Sequence, residues 1–406
     1  MQVFLQAAFS RFFLTKRARA YIIKDMKQTI YLDNAATTPL DSEVAEKMLP
    51  FLTECYGNAD SPHAVGRKAM VAVDRARDTV AECLGAKPSE IYFTSGGTEA
   101  DNWAILGGAR AKRAEGRTHV LISAIEHHAA LYAAETLEKE GFEVEQIPVN
   151  SGGRVELNAV KARLKPTTAL VCVMRVNNET GVVQPVEEIA RLAHSVGALF
   201  FTDCVQAAPH EKLDVKRLGA DLLSISSHKL HGPKGCGALY IKSGVRIEKL
   251  VGGGEQERGM RGGTLNVPAI VGFAEALEKT TKEMAEARAK IERLQAAFLS
   301  GIAALDGVKV NGEGEEKIPA VLSLQVAGVR NDTLLYRADL EGLCIAAGSA
   351  CASASVKPSH VLLAMGRTDE EARQTVRISF GSQNTEEEVK KAAQIFVETV
   401  KSLRKN

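Results

Sequence analysis

Residues 90–114, "EIYFTSGGTEADNWAILGGARAKRA", decide how this chain is read. Ile91, Tyr92, Phe93 and Thr94 are β-branched or aromatic, and a short run of that kind reads as a strand. Gly96 and Gly97 end it in a turn, and the stretch from Thr98 to Ala114 then reads as a helix. The unit is strand, glycine turn, helix.

That unit recurs. "HVLISAI" (119–125), "FEVEQIPV" (142–149), "TTALVCVMRV" (167–176), "ALFFTDCVQ" (198–206), "ADLLSISS" (220–227) and "GCGALYIK" (235–242) read as strands. "HAALYAAETLEKEG" (128–141), "ELNAVKARL" (156–164) and "PVEEIARLAHSVG" (185–197) read as helices between them. Short apolar strands alternating with helices predict an α/β fold with a mostly parallel sheet covered on both faces. After "GGGEQERGMRGGT" (252–264) the pattern changes to a long helix from about Val267 to Leu305. Strands "AVLSLQV" (320–326), "CIAAGS" (344–349) and "TVRISFG" (375–381), a helix "NDTLLYRADLEG" (331–342) and a last helix from Thr385 complete a smaller C-terminal α/β domain. The division expected is an N-terminal segment 29–44 packing near the small domain, a large domain 45–285 and a small domain 286–406.

Composition sets bounds. Over 406 residues, 45% are hydrophobic and 25% charged, as in ordinary soluble proteins. A net charge of +1 gives no electrostatic footprint for nucleic acid or an anionic membrane, and no apolar stretch is long enough to span a bilayer. Seven scattered cysteines without a CxxC pair argue against a disulfide framework and for a reducing compartment, so the location expected is cytoplasmic. Residues 1–28 read as an N-terminal extension, either upstream sequence ahead of a start at Met26 or a targeting segment; the former reading is preferred.

In parallel α/β sheets, ligands bind beyond the carboxyl ends of the strands, where Gly97, Thr98, His127, Asn178, Asp203 and Lys229 all fall. "TSGGT" places free N–H groups and a helix dipole where a phosphate can sit, though taken alone it reads rather as an ordinary glycine turn with a threonine cap. Asp203 ends an apolar strand, where a carboxylate needs a cation or a strong donor. Lys229 follows another such strand, and a desolvated lysine becomes a nucleophile able to form a Schiff base. A phosphate cradle, a carboxylate for a ring nitrogen and an imine-forming lysine are the handles that pyridoxal 5'-phosphate requires.

Eleven stretches, in order, carry a closer resemblance: "YLDNAATTP", "YGNADSPH", "TSGGTEADN", "EHHA", "VNNETGVVQP", "TDCVQ", "SSHKLHGPKG", "GGGEQERGMRGGT", "AGSACASAS", "PSHVLLAMG" and "VRISFG". From Ile30 to near its end the chain resembles the cysteine desulfurases of the NifS and IscS type, pyridoxal-phosphate enzymes of fold type I (aspartate-aminotransferase-like). That resemblance implies a seven-stranded large-domain sheet and removal of sulfur from L-cysteine to give L-alanine and a persulfide on Cys351. It implies Lys229 as the lysine that carries the cofactor. Gly97, Thr98, Ser226, Ser227 and His228 would bind the phosphate, and Asp203 would face the ring nitrogen. Gln206 and Asn178 would lie near the ring hydroxyl, and His127 would stack on the ring with a catalytic role. Asn34, Asn178 and Arg377 would hold the substrate, Arg377 through its carboxylate. Thr264 would reach the phosphate of a neighbouring subunit's cofactor, implying a homodimer with shared sites. No intrinsic metal is expected; Cys351 could transiently ligate an iron–sulfur cluster shared with a scaffold, and the expected partner is such a scaffold or another sulfur acceptor. A selenocysteine lyase or a class V aminotransferase is the alternative. Cys344 reads as a packed thiol, whereas Cys351 lies in a small, polar loop. Ser382 stands where relatives often carry a basic residue.

Overall fold

The computed structural model describes residues 29–348 and 357–405. Twelve strands are present among them: β1 Ile30–Tyr31, β2 Ile91–Thr94, β3 His119–Ser123, β4 Glu143–Ile147, β5 Thr168–Cys172, β6 Leu199–Asp203, β7 Leu222–Ser226, β8 Gly237–Ile241, β9 Val308–Val310, β10 Val321–Val326, β11 Leu343–Cys344 and β12 Thr375–Ser379. Strands β2 to β8 form one seven-stranded sheet in the order β2-β8-β7-β6-β5-β3-β4. Strand β8 is antiparallel to both of its neighbours, and the other neighbouring pairs are parallel. Every residue of β3, β5, β6, β7 and β8 is buried, which is why these strands read as continuous apolar runs.

The expected helix 98–114 starts one residue earlier and is not uniform. It runs as Gly97–Asn102, a π-helical turn over Trp103–Gly107 and then Gly108–Arg113. The bulge follows from packing: the Trp103 indole N–H donates to the Glu248 carbonyl, and a Cβ on Gly107 would come within 2.4 Å of that same oxygen. Two helices that the strand–helix pattern leaves unread, Ser42–Thr53 and Ala64–Leu84, lie ahead of β2.

A single helix, Val267–Ile302, runs through the expected division at 285/286 and packs on the helices 42–53, 64–84 and 386–404. One apolar cluster extends along it from Val73 and Phe93 through Phe273 and Phe298 to Phe396 and Val400, so both ends of the chain share a core. Beyond it stand a three-stranded antiparallel sheet in the order β12-β10-β9 and the parallel pair β1–β11. Pairing of Ile30 with Leu343 and of Tyr31 with Cys344 ties the segment after residue 29 to this C-terminal part. Of the expected strand 344–349, the described residues hold Leu343–Cys344 and a bridge at Ala346.

Candidate active site

The carboxyl ends of β2, β3, β5, β6 and β7 open into one cavity of about 450 Å³. Gly97, Thr98, His127, Asn178, Asp203, Gln206, Ser226, His228, Lys229 and Arg377 all line it. The seven-stranded sheet brings together residues from Gly97 to Lys229, 132 positions apart in sequence, and Arg377 joins them from the C-terminal three-stranded sheet.

Lys229 ends a 3₁₀ turn, Ser227–Lys229, that follows β7 directly. Its ammonium donates to the Ala35 and Ala36 carbonyls at 2.5 and 2.7 Å. The segment supplying them is fixed by Thr38, whose N–H and Oγ1 both bond the His228 carbonyl. His231 completes this clasp from a left-handed backbone (φ 60°), its N–H donating to Thr38 Oγ1.

Asp203 is the last residue of β6 and is 5% exposed. Burial pushes its carboxyl up to about 6, against the Val205 N–H donated to Oδ1 at 2.7 Å and the positive charge of Lys229. Two further carboxyls stand close by. Asp101 receives the Ser224 hydroxyl at 2.5 Å, and burial together with the Asp203 charge holds it well above the usual carboxylate range. Glu126 accepts the Met174 N–H at 2.7 Å and is pushed up to about 8 by burial. Sequence reading passed over both. An acid in the first turns of a helix, or one just ahead of a helix start, has a ready explanation in the helix dipole.

His127 caps the helix His128–Lys139, its Nδ1 accepting the Ala129 N–H at 3.2 Å. Nδ1 is therefore unprotonated, and burial beside Lys229 lowers the ring to about 4, so His127 is a neutral imidazole. His228 is lowered to about 4 for the same reasons, and its Nδ1 meets Thr37 Oγ1 at 3.1 Å.

The residues present fit pyridoxal phosphate. Ser226 Oγ and Gln206 Oε1 are buried without a hydrogen-bond partner on the wall of an open cavity, an arrangement that costs free energy unless a ligand answers it. A Cβ on Gly97 would lie 2.8 Å from Val205, so only glycine lets the backbone N–H groups at that helix start approach a phosphate. Glu99, two residues on, is neutralised by Arg261 at 2.8 and 3.0 Å, which removes a carboxylate charge that would repel the phosphate.

Arg377 reaches the cavity from β12. It is 1% exposed, donates through Nη1 to the Asn178 carbonyl at 3.0 Å and through Nη2 to Asp33 Oδ1 at 2.8 Å. Three expected site residues stand apart. Ser227 is outside the cavity lining and faces Gly232. Thr264 is exposed and also outside the lining. Asn34 bonds the Ser379 carbonyl, Asn384 and Gln383, and lines a second cavity that Ala35, Gln206 and Lys229 also border. Cys351 lies outside the described residues.

The Aminotransferase class-V family profile matches residues 30–392. A cysteine desulfurase IscS of Clostridium botulinum is 44% identical over 93% of this chain and 96% of its own. A putative cysteine desulfurase IscS 1 of Bacillus subtilis is 46% identical over 93% of this chain and all of its own. A solved NifS-like protein superposes with a TM-score of 0.87 at 37% identity, covering 92% of this chain and 100% of that one. The chain belongs to the class V aminotransferase family of pyridoxal-phosphate proteins, within its cysteine desulfurases of the NifS and IscS type.

Proposed function

We propose that this protein takes the sulfur of L-cysteine onto Cys351 and releases L-alanine. The observation that carries the reading is the convergence of Lys229, Asp203, His127, Ser226, Thr98 and Arg377 on one cavity. Bound there, pyridoxal phosphate supplies the sink for the electron pair left when the substrate Cα–H bond breaks. The chain's own groups do the rest. Ser226 Oγ, His228, Thr98 and the N–H groups after Gly96 hold the phosphate. Asp203 would keep a proton on the ring nitrogen, and neutral His127 would pack against the ring without adding a competing charge. Arg377 takes the substrate carboxylate, which places Cα within reach of Lys229 Nζ, the group that removes its proton. The Cys351 thiolate then forms an S–S bond as the substrate Cβ–Sγ bond breaks; the carbon keeps its electron pair and takes up protons to leave alanine.

The persulfide sulfur passes to an iron–sulfur scaffold or another acceptor protein. A reducing, cytoplasmic setting suits a thiol carrier, and the six cysteines of the described residues are free thiols. The working unit is a homodimer in which the loop carrying Thr264 reaches the neighbour's phosphate.

The test is sulfur accounting. Incubated with L-cysteine and a reductant, the enzyme should release alanine and sulfide one for one. Cys351→Ser should retain the cofactor's visible absorption and stop sulfide release. Labelled sulfur should reside on the peptide 347–357. Label elsewhere, or unchanged desulfuration in Cys351→Ser, refutes the assignment, and selenocysteine cleavage surviving in that variant identifies a lyase instead.

A further inference from the structure

Arg377 is not an unoccupied anion hook. Its guanidinium is buried at 1% exposure and already carries a counter-ion, Asp33, at 2.8 Å on Nη2. One purpose for that pair would be to anchor the segment around residue 33, but the segment is anchored without it. The Asn34 N–H donates to the Ser379 carbonyl, the Ser379 N–H donates to the Leu32 carbonyl, and the Tyr31 hydroxyl donates to the Asp33 carbonyl at 3.0 Å. Arg377 is likewise fixed by its own backbone, which exchanges both hydrogen bonds with Ala346, and by the Asn178 carbonyl on Nη1. Neither side needs the ion pair for its position, so its effect is mainly electrostatic. A guanidinium has five N–H donors, and Nε finds no acceptor, so donor capacity remains after Asp33 is served.

We propose that Asp33 is an affinity-setting residue for the substrate carboxylate, a built-in counter-charge that keeps Arg377 from holding carboxylates too tightly. The inference rests on the reading of Arg377 as the carboxylate clamp. Its chemical logic is product release. Cysteine and alanine share the same α-carboxylate, so a lone buried arginine would retain the product as firmly as it captures the substrate. With Asp33 in place, an entering carboxylate meets a pair of no net charge and binds by filling the remaining N–H donors, a contact that is directional and weaker.

The sign of the effect separates this role from a structural one. The experiment uses the cofactor-loaded enzyme, reading L-alanine binding from the visible spectrum of the bound cofactor, with that absorption also checking folding and loading. Asp33→Asn and Asp33→Ala should each tighten L-alanine binding by about tenfold, the size of a one-unit electrostatic interaction. KM for L-cysteine and kcat should fall together as release becomes slow, and sulfate should become a stronger competitor. Asp33→Glu should stay near the parent. Arg377→Gln should weaken L-alanine by at least about tenfold and abolish the preference for L-cysteine over cysteamine, which lacks the carboxylate. If Arg377→Gln behaves so while both neutral variants at 33 leave alanine binding unchanged or weaker, the Asp33 proposal fails alone. If Arg377→Gln leaves alanine binding and the cysteamine preference intact, the clamp reading fails and takes the proposal with it.

Discussion

Asp203 shares its surroundings with two other buried carboxyls, and the balance among the three decides what it can do. Burial raises all of them, yet only Asp203 faces Lys229, so the ionised form is favoured there and disfavoured at Asp101 and Glu126. A single negative charge is thereby directed to the position proposed to face a ring nitrogen. Glu126 gives this a measurable consequence. Its carboxyl, pushed up to about 8 from an ordinary 4.5, binds a proton in the folded chain that the unfolded chain has already lost. Its contribution to stability is therefore complete below about pH 4.5 and fades as pH rises toward 8. Glu126→Gln keeps an oxygen to accept the Met174 N–H and cannot ionise. In thermal scans of the loaded enzyme the variant should match the parent near pH 5 and exceed its Tm by several degrees above pH 8. A variant that runs parallel to the parent across that range would mean that Glu126 is ionised throughout.

The loop 252–264 shows how an element can be held by contacts that no local pattern announces. Glu257 and Arg258 adopt left-handed backbone (φ 47° and 59°), which for residues with side chains costs roughly 1–3 kcal/mol each. The offset is a buried ion pair. Arg77 donates to Glu257 from both Nη atoms at 2.8 and 2.7 Å, and Glu257 also takes the Phe93 N–H at 2.9 Å. Arg77→Ala would leave a carboxylate at 4% exposure without its cation, a loss of about 3–5 kcal/mol. Its Tm should fall steeply, whereas Arg77→Met combined with Glu257→Leu should lose less yet stay below the parent, and a double variant as stable as the parent would deny the pair its role. The glycines of this loop permit an unusual backbone, but they do not show which residues bear the strain. Arg77 sits 180 positions from its partner on an otherwise ordinary amphipathic helix. The same limit explains other gaps. Five-residue, fully buried strands such as β5 and β6 announce themselves through continuous apolar runs. Strand β9, three residues long, and the pair β1–β11, two residues each, exist only because a distant partner is present. At the site, Lys229 and Asp203 were legible as a set with the glycine turn at 96–98, although singly a strand-end lysine can snorkel to water and a strand-end acid can cap a helix or pair structurally. Asp101, Glu126 and Asp33 were not, since each occupies a place where an acid is commonplace.

At the scale of the whole molecule, Thr264 differs from the other expected site residues that stand outside the cavity lining in being exposed. The proposed homodimer with shared sites would account for this, and the apolar side chains left open on and just after the helix Ser42–Thr53 suit it: Leu49, Leu52 and Tyr56 are 58%, 60% and 73% exposed. A second copy covering that region would carry its own Thr264 to the first copy's phosphate, and symmetry would return the contact. Complementation tests this directly. Lys229→Ala removes the lysine from a chain's own site. Thr264→Asp sets a carboxylate against the phosphate of the neighbour's site. Each homodimer should be inactive or nearly so. In a mixed dimer, isolated through two different tags after co-expression, sharing puts both lesions in one site and leaves the other with a native Lys229 and a native Thr264. Sulfide release per dimer should then recover to about half that of the parent, one intact site of two. Were each site built from a single chain, every site of the mixed dimer would carry one lesion. Its activity would then be no more than the average of the two homodimers.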